Sequence, residues 1–289
     1  MNYKNILKII GCLLMVLCFL ELLCLAYCGL RGVLAGSAAR AFSISAMLSG
    51  LAGSVSLVFG GRIKQDLLRK EAIAVVGLGW IICSVFGAMP YALCEPGLNP
   101  VDSLFESMSG FTTTGASVIS DLSIYPRELL LWRALTQWLG GMGILVLFVA
   151  LLSSFRIGSR AIFLHESSAN EIGGVANRTG KIATKLWSLY LMVTIICFAG
   201  FKILGMSWYD AVCHTFATVA TGGFSPYNES IAYFQSPAIE LWTMFMMIAC
   251  SINFILYAWL IRGRWDRWKD DEESKVFLII LLVATIVVG

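Results

Sequence analysis

Two short stretches of this sequence combine threonine, glycine and other small residues in a pattern suited to binding a dehydrated cation. The first Thr-Gly segment consists of Thr112, Thr113, Thr114, Gly115 and Ala116, and the second of Val219, Ala220, Thr221, Gly222 and Gly223. A cation that leaves water needs its hydration shell replaced, and backbone carbonyls can supply the oxygen ligands. Glycine reaches conformations closed to other residues, so successive carbonyls can turn to one side. Threonine hydroxyls can add further ligands, and the pattern therefore predicts carbonyl-lined cation sites.

The two segments occur in matching surroundings, which indicates an internal duplication. Each follows a turn, an aspartate and about ten semi-apolar residues. The offset from Asp102 to Asp210 is longer by one position than the offset from Gly115 to Gly222, so we expect a one-residue slip between the copies. The alternative interpretation is an ordinary Thr- and Gly-rich loop. Two copies in matching surroundings argue against it more strongly than a single copy would.

Short helices are expected to position both segments. The semi-apolar run ahead of each segment is too short to cross a ~30 Å hydrocarbon core, so it predicts a re-entrant helix. Irregular backbone at membrane depth persists only where protein or a water-filled cavity satisfies it, which favours a pore lining. A short helix that directs its C-terminus at the cavity adds the negative end of its dipole, and this also favours a cation.

The rest of the chain has the composition of an all-α integral membrane protein. It is 58% hydrophobic and 13% charged over 289 residues, with a mean hydropathy of +0.80, against about 25% charged residues in soluble domains. Apolar runs of spanning length predict six membrane helices at 5–28, 38–60, 71–92, 129–152, 183–205 and 237–261. A seventh apolar run begins at Val276, and we interpret it as the start of a further unit.

The distribution of basic residues predicts the orientation. With a cytoplasmic N-terminus, all but five of the 21 lysines and arginines fall on the cytoplasmic side. The five exceptions are Arg31, Arg40, Arg127, Arg133 and Lys202. This agrees with the positive-inside rule. The first apolar run is long and lacks a small-residue cleavage site, so it predicts a retained anchor rather than a signal peptide.

Few residues offer enzymatic chemistry or a resident metal site. The nine cysteines form no Cys-x-x-Cys pair, and the two histidines belong to no metal-binding array. Glu21 and Asn253 are polar residues within predicted spans, where such groups are costly. We expect Glu21 to be hydrogen-bonded in a structural role or interfacial, and a pore-bracing role for Asn253 is one of two equal alternatives. We expect no enzyme, no organic cofactor and no nucleic-acid partner.

Five motifs link the chain to a known family. They are "SGFTTTGASV", "TQWLGGMGILVL", "KIATKLW", "DAVCHTFATVATGGFSPYNESIAYF" and "SINF". With them the chain resembles the TrkH branch of the Trk/Ktr/HKT superfamily of potassium transporters over nearly its whole length. The resemblance implies two leading transmembrane helices, followed by repeats of transmembrane helix, re-entrant pore helix, filter and transmembrane helix around a potassium-channel-like pore. Potassium would bind at Thr113, Thr114, Ala220 and Thr221, and glycine at position 115 accompanies potassium preference in this superfamily.

The same resemblance implies a division of the chain and a set of partners. The parts are two leading helices (1–64), a first pore repeat (65–155), a cytoplasmic loop (156–181), a second pore repeat (182–265) and the start of a third repeat (266–289). The implied location is the cell inner membrane, in contact with membrane lipids. The implied partners are a second copy of the complete transporter and a cytosolic nucleotide-binding regulatory subunit of the TrkA type.

Several interpretations stay open at this point. Pores of this superfamily have four filter segments and two are found here, so we interpret the chain as the N-terminal portion of a longer transporter. Pairing of two copies is a second way to assemble four segments. A non-conducting membrane protein and an HKT-like transporter permeable to both sodium and potassium are the functional alternatives.

Two further features have more than one interpretation. Gly140, Gly141 and Gly143 predict a close approach between helices, with ordinary small-residue packing preferred. The polar loop 153–182 and the mixed tract 262–275 are either solvated linkers or docking faces for a cytosolic partner. Trp265 and Trp268 in the mixed tract suit an interface helix and anchoring at the membrane interface equally well.

Overall fold

The computed structural model describes residues 3–61, 69–141, 143, 172–260, 263 and 271–288, and this part of the chain is mainly helical. The helices are α1 (Tyr3–Leu30), α2 (Ser37–Gly60), α3 (Arg69–Gly87), α4 (Met89–Leu93), α5 (Pro100–Phe111), α6 (127–141), α7 (Ile172–Ile203), α8 (Trp208–Val219), α9 (Pro237–Ser251), α10 (Phe254–Leu260) and α11 (Glu272–Val288), with a 3₁₀ turn at Ser230–Phe234. The all-α membrane fold predicted from the sequence is confirmed.

Membrane-crossing helices are recognised by their length and apolar composition. Four described stretches meet both conditions: Tyr3–Leu30, Ser37–Gly60, Ile73–Leu93 and Thr184–Ile203. The predicted fourth span, 129–152, lies partly outside the described residues, because the description of that region ends at residue 143. Of the tract 262–275, the structure describes residues 263 and 271–275, so Trp265 and Trp268 lie outside the described part.

The predicted sixth span, 237–261, is wrong as one continuous helix. Helix α9 ends at Ser251, Ile252 adopts an extended conformation with ψ 146°, and α10 begins at Phe254. The Tyr257 hydroxyl donates to the Ala249 carbonyl at 2.6 Å and so satisfies a carbonyl near the end of α9. The break stands beside Asn253, whose helical propensity is low because its side chain competes for backbone hydrogen bonds.

The fifth span begins earlier than the hydropathy pattern indicated. Helix α7 starts at Ile172, so residues 172–181 of the predicted cytoplasmic loop are helical, whereas 156–171 lie outside the described residues. With 32 residues, α7 is longer than the roughly 20 needed to cross the hydrocarbon core. Its polar first turns therefore extend the helix beyond the apolar stretch Thr184–Ile203.

The two leading helices form a tightly packed hairpin. A Cβ added to Gly11 would lie 2.9 Å from the Leu57 amide nitrogen, and one added to Gly60 would lie 2.8 Å from the backbone of Lys8. Small residues allow this backbone approach between membrane helices. The Ser45 hydroxyl donates to the fully buried Glu21 carboxylate across the hairpin. Of the two roles expected for Glu21, the hydrogen-bonded structural one is therefore confirmed.

In the first repeat, α6 packs against the junction of α3 and α4. The chain turns at Ala88, and Tyr91 donates its amide to the Ala88 carbonyl, which leaves the Gly87 carbonyl without its helical partner Tyr91. The indole of the fully buried Trp132 donates to that carbonyl at 3.0 Å. This hydrogen bond holds α6 in a fixed position relative to the end of α3.

Candidate functional site

Two short helices of equal length introduce the two Thr-Gly segments. Helices α5 and α8 have 12 residues each, and they begin at Pro100 and Trp208. Their N-caps, Asn99 and Ser207, both accept a hydrogen bond from the amide of the residue three positions later. Each cap satisfies an amide that a helix N-terminus would otherwise leave free. Both helices are too short to cross a bilayer, as the sequence predicted.

The structure corrects the expected one-residue slip between the repeats. Helices α5 and α8 end at Phe111 and Val219, and the next residues, Thr112 and Ala220, are their C-caps. The offset that relates Asp102 to Asp210 therefore continues unchanged to the ends of the helices. Val219 is consequently the last residue of α8, because its backbone continues the helix, and it corresponds to Phe111.

The same register continues through the segments themselves. Thr113 and Thr221 have positive φ angles of 55° and 53°, and Gly115 and Gly223 have φ angles of 76° and 82°. Each pair keeps the offset of the two aspartates, so the structural partner of Gly115 is Gly223 rather than Gly222. Residues 112–116 therefore correspond to residues 220–224.

The signs of φ alternate along both segments. Thr112 and Ala220 have φ angles of −80° and −79°, ahead of the positive angles at the following threonines. In an ordinary extended strand successive residues face opposite sides. Alternating left-handed and right-handed residues cancels that alternation and brings successive carbonyls toward one side. A non-glycine residue at positive φ is uncommon, so finding a threonine there in both copies marks a shared conformation.

The two segments touch each other at their glycines. A Cβ on Gly115 would lie 2.0 Å from the Gly222 carbonyl oxygen, and a Cβ on Gly222 would lie 2.4 Å from the Gln137 side-chain amide carbon. Gln137 is fully buried in α6, and its Oε1 accepts the Phe224 amide at 3.0 Å. The absence of side chains on the two glycines lets the segments and α6 approach this closely.

Not every oxygen in the first segment is free to act as a ligand. The Thr112 hydroxyl donates to the Met108 carbonyl at 2.8 Å and is also paired with the Thr114 hydroxyl at 2.8 Å. The Ala116 carbonyl accepts the Ser109 hydroxyl at 2.6 Å. To bind an ion, the Thr112 hydroxyl and the Ala116 carbonyl would therefore have to give up hydrogen bonds to α5. The carbonyls of 112–115 are the better candidates.

A buried ion pair stands behind the first segment. Arg133 of α6 donates through Nε to Glu106 Oε2 of α5 at 3.2 Å, and both residues are almost completely buried. The other carboxylate oxygen, Glu106 Oε1, accepts the Ser117 hydroxyl at 2.5 Å and the Val118 amide at 2.7 Å. The pair thereby secures the residues that leave the first segment. A buried ion pair with its remaining groups hydrogen-bonded satisfies the condition under which such charges are tolerated.

The second repeat uses a histidine at the corresponding position. In the shared register His214 matches Glu106, and its Nε2 lies 3.2 Å from the hydroxyl of Ser225, the counterpart of Ser117. Its Nδ1 lies 2.9 Å from the Asp210 carbonyl, so Nδ1 carries a proton because a carbonyl only accepts. Each short helix therefore supports, through one side chain, the serine that follows its segment.

Two glycines of α6 bring that helix against the ends of both short helices. A Cβ on Gly140 would lie 1.9 Å from the Phe111 carbonyl oxygen, and one on Gly141 would lie 3.0 Å from Ala220 Cα. Gly143 has more room, with Trp80 at 3.8 Å. The predicted close approach is thus confirmed for Gly140 and Gly141, at the end of each short helix, but not for Gly143.

The loops that follow the two segments are joined by a reciprocal side-chain clamp. Asn228 Nδ2 donates to Asp121 Oδ1 at 2.9 Å, and Asn228 Oδ1 accepts the Leu122 amide at 2.8 Å. Hydrogen bonds from the Asn228 amide and from Ser123 hold the pKa of the Asp121 carboxyl below its ordinary value. The clamp links the two repeats a second time, close to the N-terminal end of α8, where the neighbouring Tyr227 donates to Asp210 at 2.8 Å.

Reasoning from the sequence missed the roles of Arg133, Glu106 and Gln137. Arg133 and Gln137 are four residues apart and therefore share one face of α6. Two such polar residues on one face of an apolar helix were an available signal.

In the described part of the chain, no group of three or more histidine, cysteine, aspartate or glutamate side chains could hold a metal ion.

Comparison with known proteins agrees with this geometry. The model of the TrkH family, described as cation transport protein, matches residues 40–288. The chain is 33% identical over its whole length to the Trk system potassium uptake protein TrkH of Halomonas elongata, and covers 60% of that protein. It is 34% identical over 239 residues to the TrkH of Escherichia coli K12, with 81% of this chain and 50% of that protein aligned.

A solved structure shows the same fold. The crystal structure of the potassium transporter TrkH from Vibrio parahaemolyticus superimposes with a TM-score of 0.84 at 32% sequence identity, covering 99% of this chain and 58% of that one. The chain thus spans about 60% of the length of the relatives it matches most fully. Because the family model covers most of the sequence and the fold agrees, this chain belongs to the TrkH family of cation transport proteins.

Proposed function

We propose that this protein carries potassium ions across a cell membrane through a pore to which residues 112–115 and 220–223 contribute backbone carbonyl ligands. The observation that carries the proposal is the pair of segments with alternating φ signs, each at the C-terminal end of a short helix. Alternating signs favour carbonyls on one side, and the helix C-termini add negative potential there. No covalent chemistry is required, because the ion moves down its electrochemical gradient.

The common register refines which residues are proposed as ligands. The family resemblance implied potassium binding at Thr113, Thr114, Ala220 and Thr221, which are not all equivalent in the two repeats. In the shared register, the carbonyls of Thr113 and Thr221 form one matched pair. Matched ligands from equivalent repeats give an ion a more symmetrical shell, and for this reason we propose equivalent positions in both segments.

The proposed ion is potassium rather than sodium. Glycine at position 115 supports this, since the resemblance associates a glycine there with potassium preference. The relatives from Halomonas elongata and Escherichia coli are named as potassium uptake proteins. A filter selects among cations through cavity size or through the number and field strength of its carbonyls, and either route requires a defined distance between ligands.

Other pore elements are proposed to close the ion path. Thr114, Thr221 and Gly223 are exposed in the described part of the chain, on the open side of the paired segments. We propose that two further filter segments face them, supplied by additional residues of the same protein or by a second copy. The expected setting is the cell inner membrane with a cytoplasmic N-terminus. A homodimer and a nucleotide-binding cytosolic subunit of the TrkA type are the proposed partners.

The experiment that tests the proposal is ion uptake by the protein as its gene encodes it. Potassium and sodium fluxes are measured in proteoliposomes, and growth is measured in a potassium-uptake-deficient cell at limiting potassium. Preferential potassium flux together with growth rescue is expected. Equal potassium and sodium flux would favour the HKT-like alternative. A correctly folded protein without cation flux would favour the non-conducting alternative. The 289-residue chain tested alone decides whether two segments suffice.

A further inference from the structure

Arg133 contacts both repeats through different nitrogens of one guanidinium. Its Nε donates to Glu106 Oε2 and its Nη2 to the Ser117 hydroxyl, each at 3.2 Å, on the side of the first segment. Its Nη1 donates to the Ser225 carbonyl at 3.2 Å, directly after segment 220–224. The guanidinium carbon also lies 4.0 Å from the centre of the Phe224 ring. One buried side chain therefore connects the C-terminal ends of both segments.

We propose that Arg133 is a positioning residue that fixes the distance between the two segments and thereby sets the preference for potassium over sodium. The inference rests on the proposed function of the segments as parts of a potassium filter. It adds that selectivity depends on a residue that lies behind the filter and contributes no ligand to the ion.

The chemistry of the guanidinium suits this task. It is planar and always charged, and it presents five donors in a rigid fork, so it can bind groups in different directions without rearranging. Lysine would supply the same charge but only a point donor on a flexible stem. Arg133 has just 2% of its surface exposed, so solvent competes little for its three hydrogen bonds.

The two repeats depend on Arg133 unequally. In the first repeat Glu106 provides a charge that pairs with the guanidinium, while in the second the equivalent His214 supports Ser225 and makes no such pair. The guanidinium reaches the second repeat through the Ser225 carbonyl and the Phe224 ring. Arg133 therefore connects Glu106, which supports the first segment, to the backbone at Ser225, which follows the second segment.

A fixed distance between segments favours the larger ion. A smaller cation is held well only if the carbonyls move inward, and a filter that resists this movement binds the smaller cation poorly. Within a close-packed, hydrogen-bonded site, Arg133 opposes independent movement of the two segments. Without it, each segment keeps the support of its own short helix but loses its direct guanidinium link to the other.

The decisive variants separate this positioning role from the burial of charge. Arg133→Gln alone leaves Glu106 as an unpaired buried carboxylate, which can prevent folding. The charge-balanced double variant Arg133→Gln with Glu106→Gln avoids that problem, and its new amide at position 106 can still accept from Ser117. Arg133→Lys keeps the charge and removes the fork. Arg40→Gln is the matched control, since Arg40 forms an exposed pair with Glu95 at 3.6 Å.

The measurements are the potassium-to-sodium flux ratio in proteoliposomes and the rise in Tm that each cation produces in the purified protein. Binding to the folded state raises Tm, so the second measurement reports ion preference without requiring transport. For the double variant and for Arg133→Lys, we expect the potassium-to-sodium ratio to fall about tenfold, equivalent to about 1.4 kcal/mol. Potassium should also lose its advantage over sodium in raising Tm. The Arg40→Gln control should match the wild type in both measurements.

The results that overturn this inference differ from those that overturn the proposed function. A wild-type protein that neither transports nor is stabilised by potassium in preference to sodium contradicts the proposed function. A selective wild type whose double variant is equally selective contradicts the role of Arg133 alone. Full selectivity in Arg133→Lys would mean that charge, not the fork, matters, which contradicts the positioning role. Failure of the double variant to fold would assign Arg133 to the fold, and this also overturns the inference.

Discussion

Replacing Gly140 by alanine should displace α6 from the end of α5 and so disturb the first segment. The added Cβ would lie 1.9 Å from the Phe111 carbonyl oxygen and 2.7 Å from its carbonyl carbon. Ordinary contact begins near 3.4 Å, so the oxygen and the Cβ must separate by the difference between 3.4 and 1.9 Å, about 1.5 Å. Phe111 is the last residue of α5, and its backbone cannot rotate aside as a side chain would.

The expected cost follows from two opposing effects. Overpacking a well-packed site typically costs about 1–3 kcal/mol, and a clash with backbone belongs at the upper end. Alanine in place of glycine recovers about 1 kcal/mol through helix propensity. We therefore expect Gly140→Ala to lower the free energy of unfolding by about 2 kcal/mol. We also expect it to lower the potassium-to-sodium flux ratio, because Thr112 follows Phe111 directly.

The same motif supplies a matched control. A Cβ on Gly143 would lie 3.8 Å from the Trp80 ring, an ordinary contact, so Gly143→Ala should be neutral or stabilising by up to about 1 kcal/mol. Thermal unfolding of each purified variant in detergent measures the stability, and paired potassium and sodium fluxes measure the filter. If Gly140→Ala and Gly143→Ala behave alike in both assays, the close approach of α6 to Phe111 is refuted.

Three further predictions concern the segments and their supports. Gly115→Ser should lower the potassium-to-sodium flux ratio strongly, because a Cβ would lie 2.0 Å from the Gly222 carbonyl oxygen at a φ of 76°. Gly223→Ser would place its Cβ in open space, so it should lower the flux ratio less, through left-handed strain of about 1–2 kcal/mol alone. Equal falls in the flux ratio of the two variants would contradict this account. Asn99→Ala should lower the stability by about 1 kcal/mol through loss of the α5 N-cap, and an unchanged Tm would argue against that cap. The pKa of the Asp121 carboxyl is lowered in the folded protein, so the carboxylate should stabilise the fold relative to Asp121→Asn. This stabilisation should be complete above about pH 4 and should vanish as the pH falls through the lowered pKa. A parallel pH dependence of Tm in the wild type and the variant would contradict the clamp.

The helices and the duplication could be predicted from the sequence because both depend on local pattern. Spanning runs follow from hydropathy, and the two short helices follow from their semi-apolar runs and from the matched aspartates Asp102 and Asp210. The register inside the segments could not be predicted in the same way, since "TTTGA" and "ATGGF" align by eye on Thr-Gly and suggest a slip. The backbone angles of Thr113 and Thr221 identify the true register, and φ is not readable from residue type when threonine takes a conformation that glycine usually occupies.

The break at Ile252 shows a similar limit for hydropathy. Residues 237–261 are apolar enough for one span, yet α9 and α10 are separate helices. The average hydropathy of a segment measures its preference for lipid, but it does not locate a break in the helical hydrogen-bonding pattern. The contact between Tyr257 and the Ala249 carbonyl, made within the folded chain, compensates the break locally.

By itself, the sequence determined the membrane class, the repeated unit and the two stretches in which glycine and threonine prepare unusual backbone geometry. These properties arise from composition and short-range periodicity, which every residue carries along the chain. The tertiary structure decided what holds the two stretches together: Arg133, which the charge distribution identifies only as a basic residue outside the cytoplasmic set, is buried between Glu106 and Ser225. Contacts between residues 92 positions apart depend on how helices pack, and no local pattern specifies them.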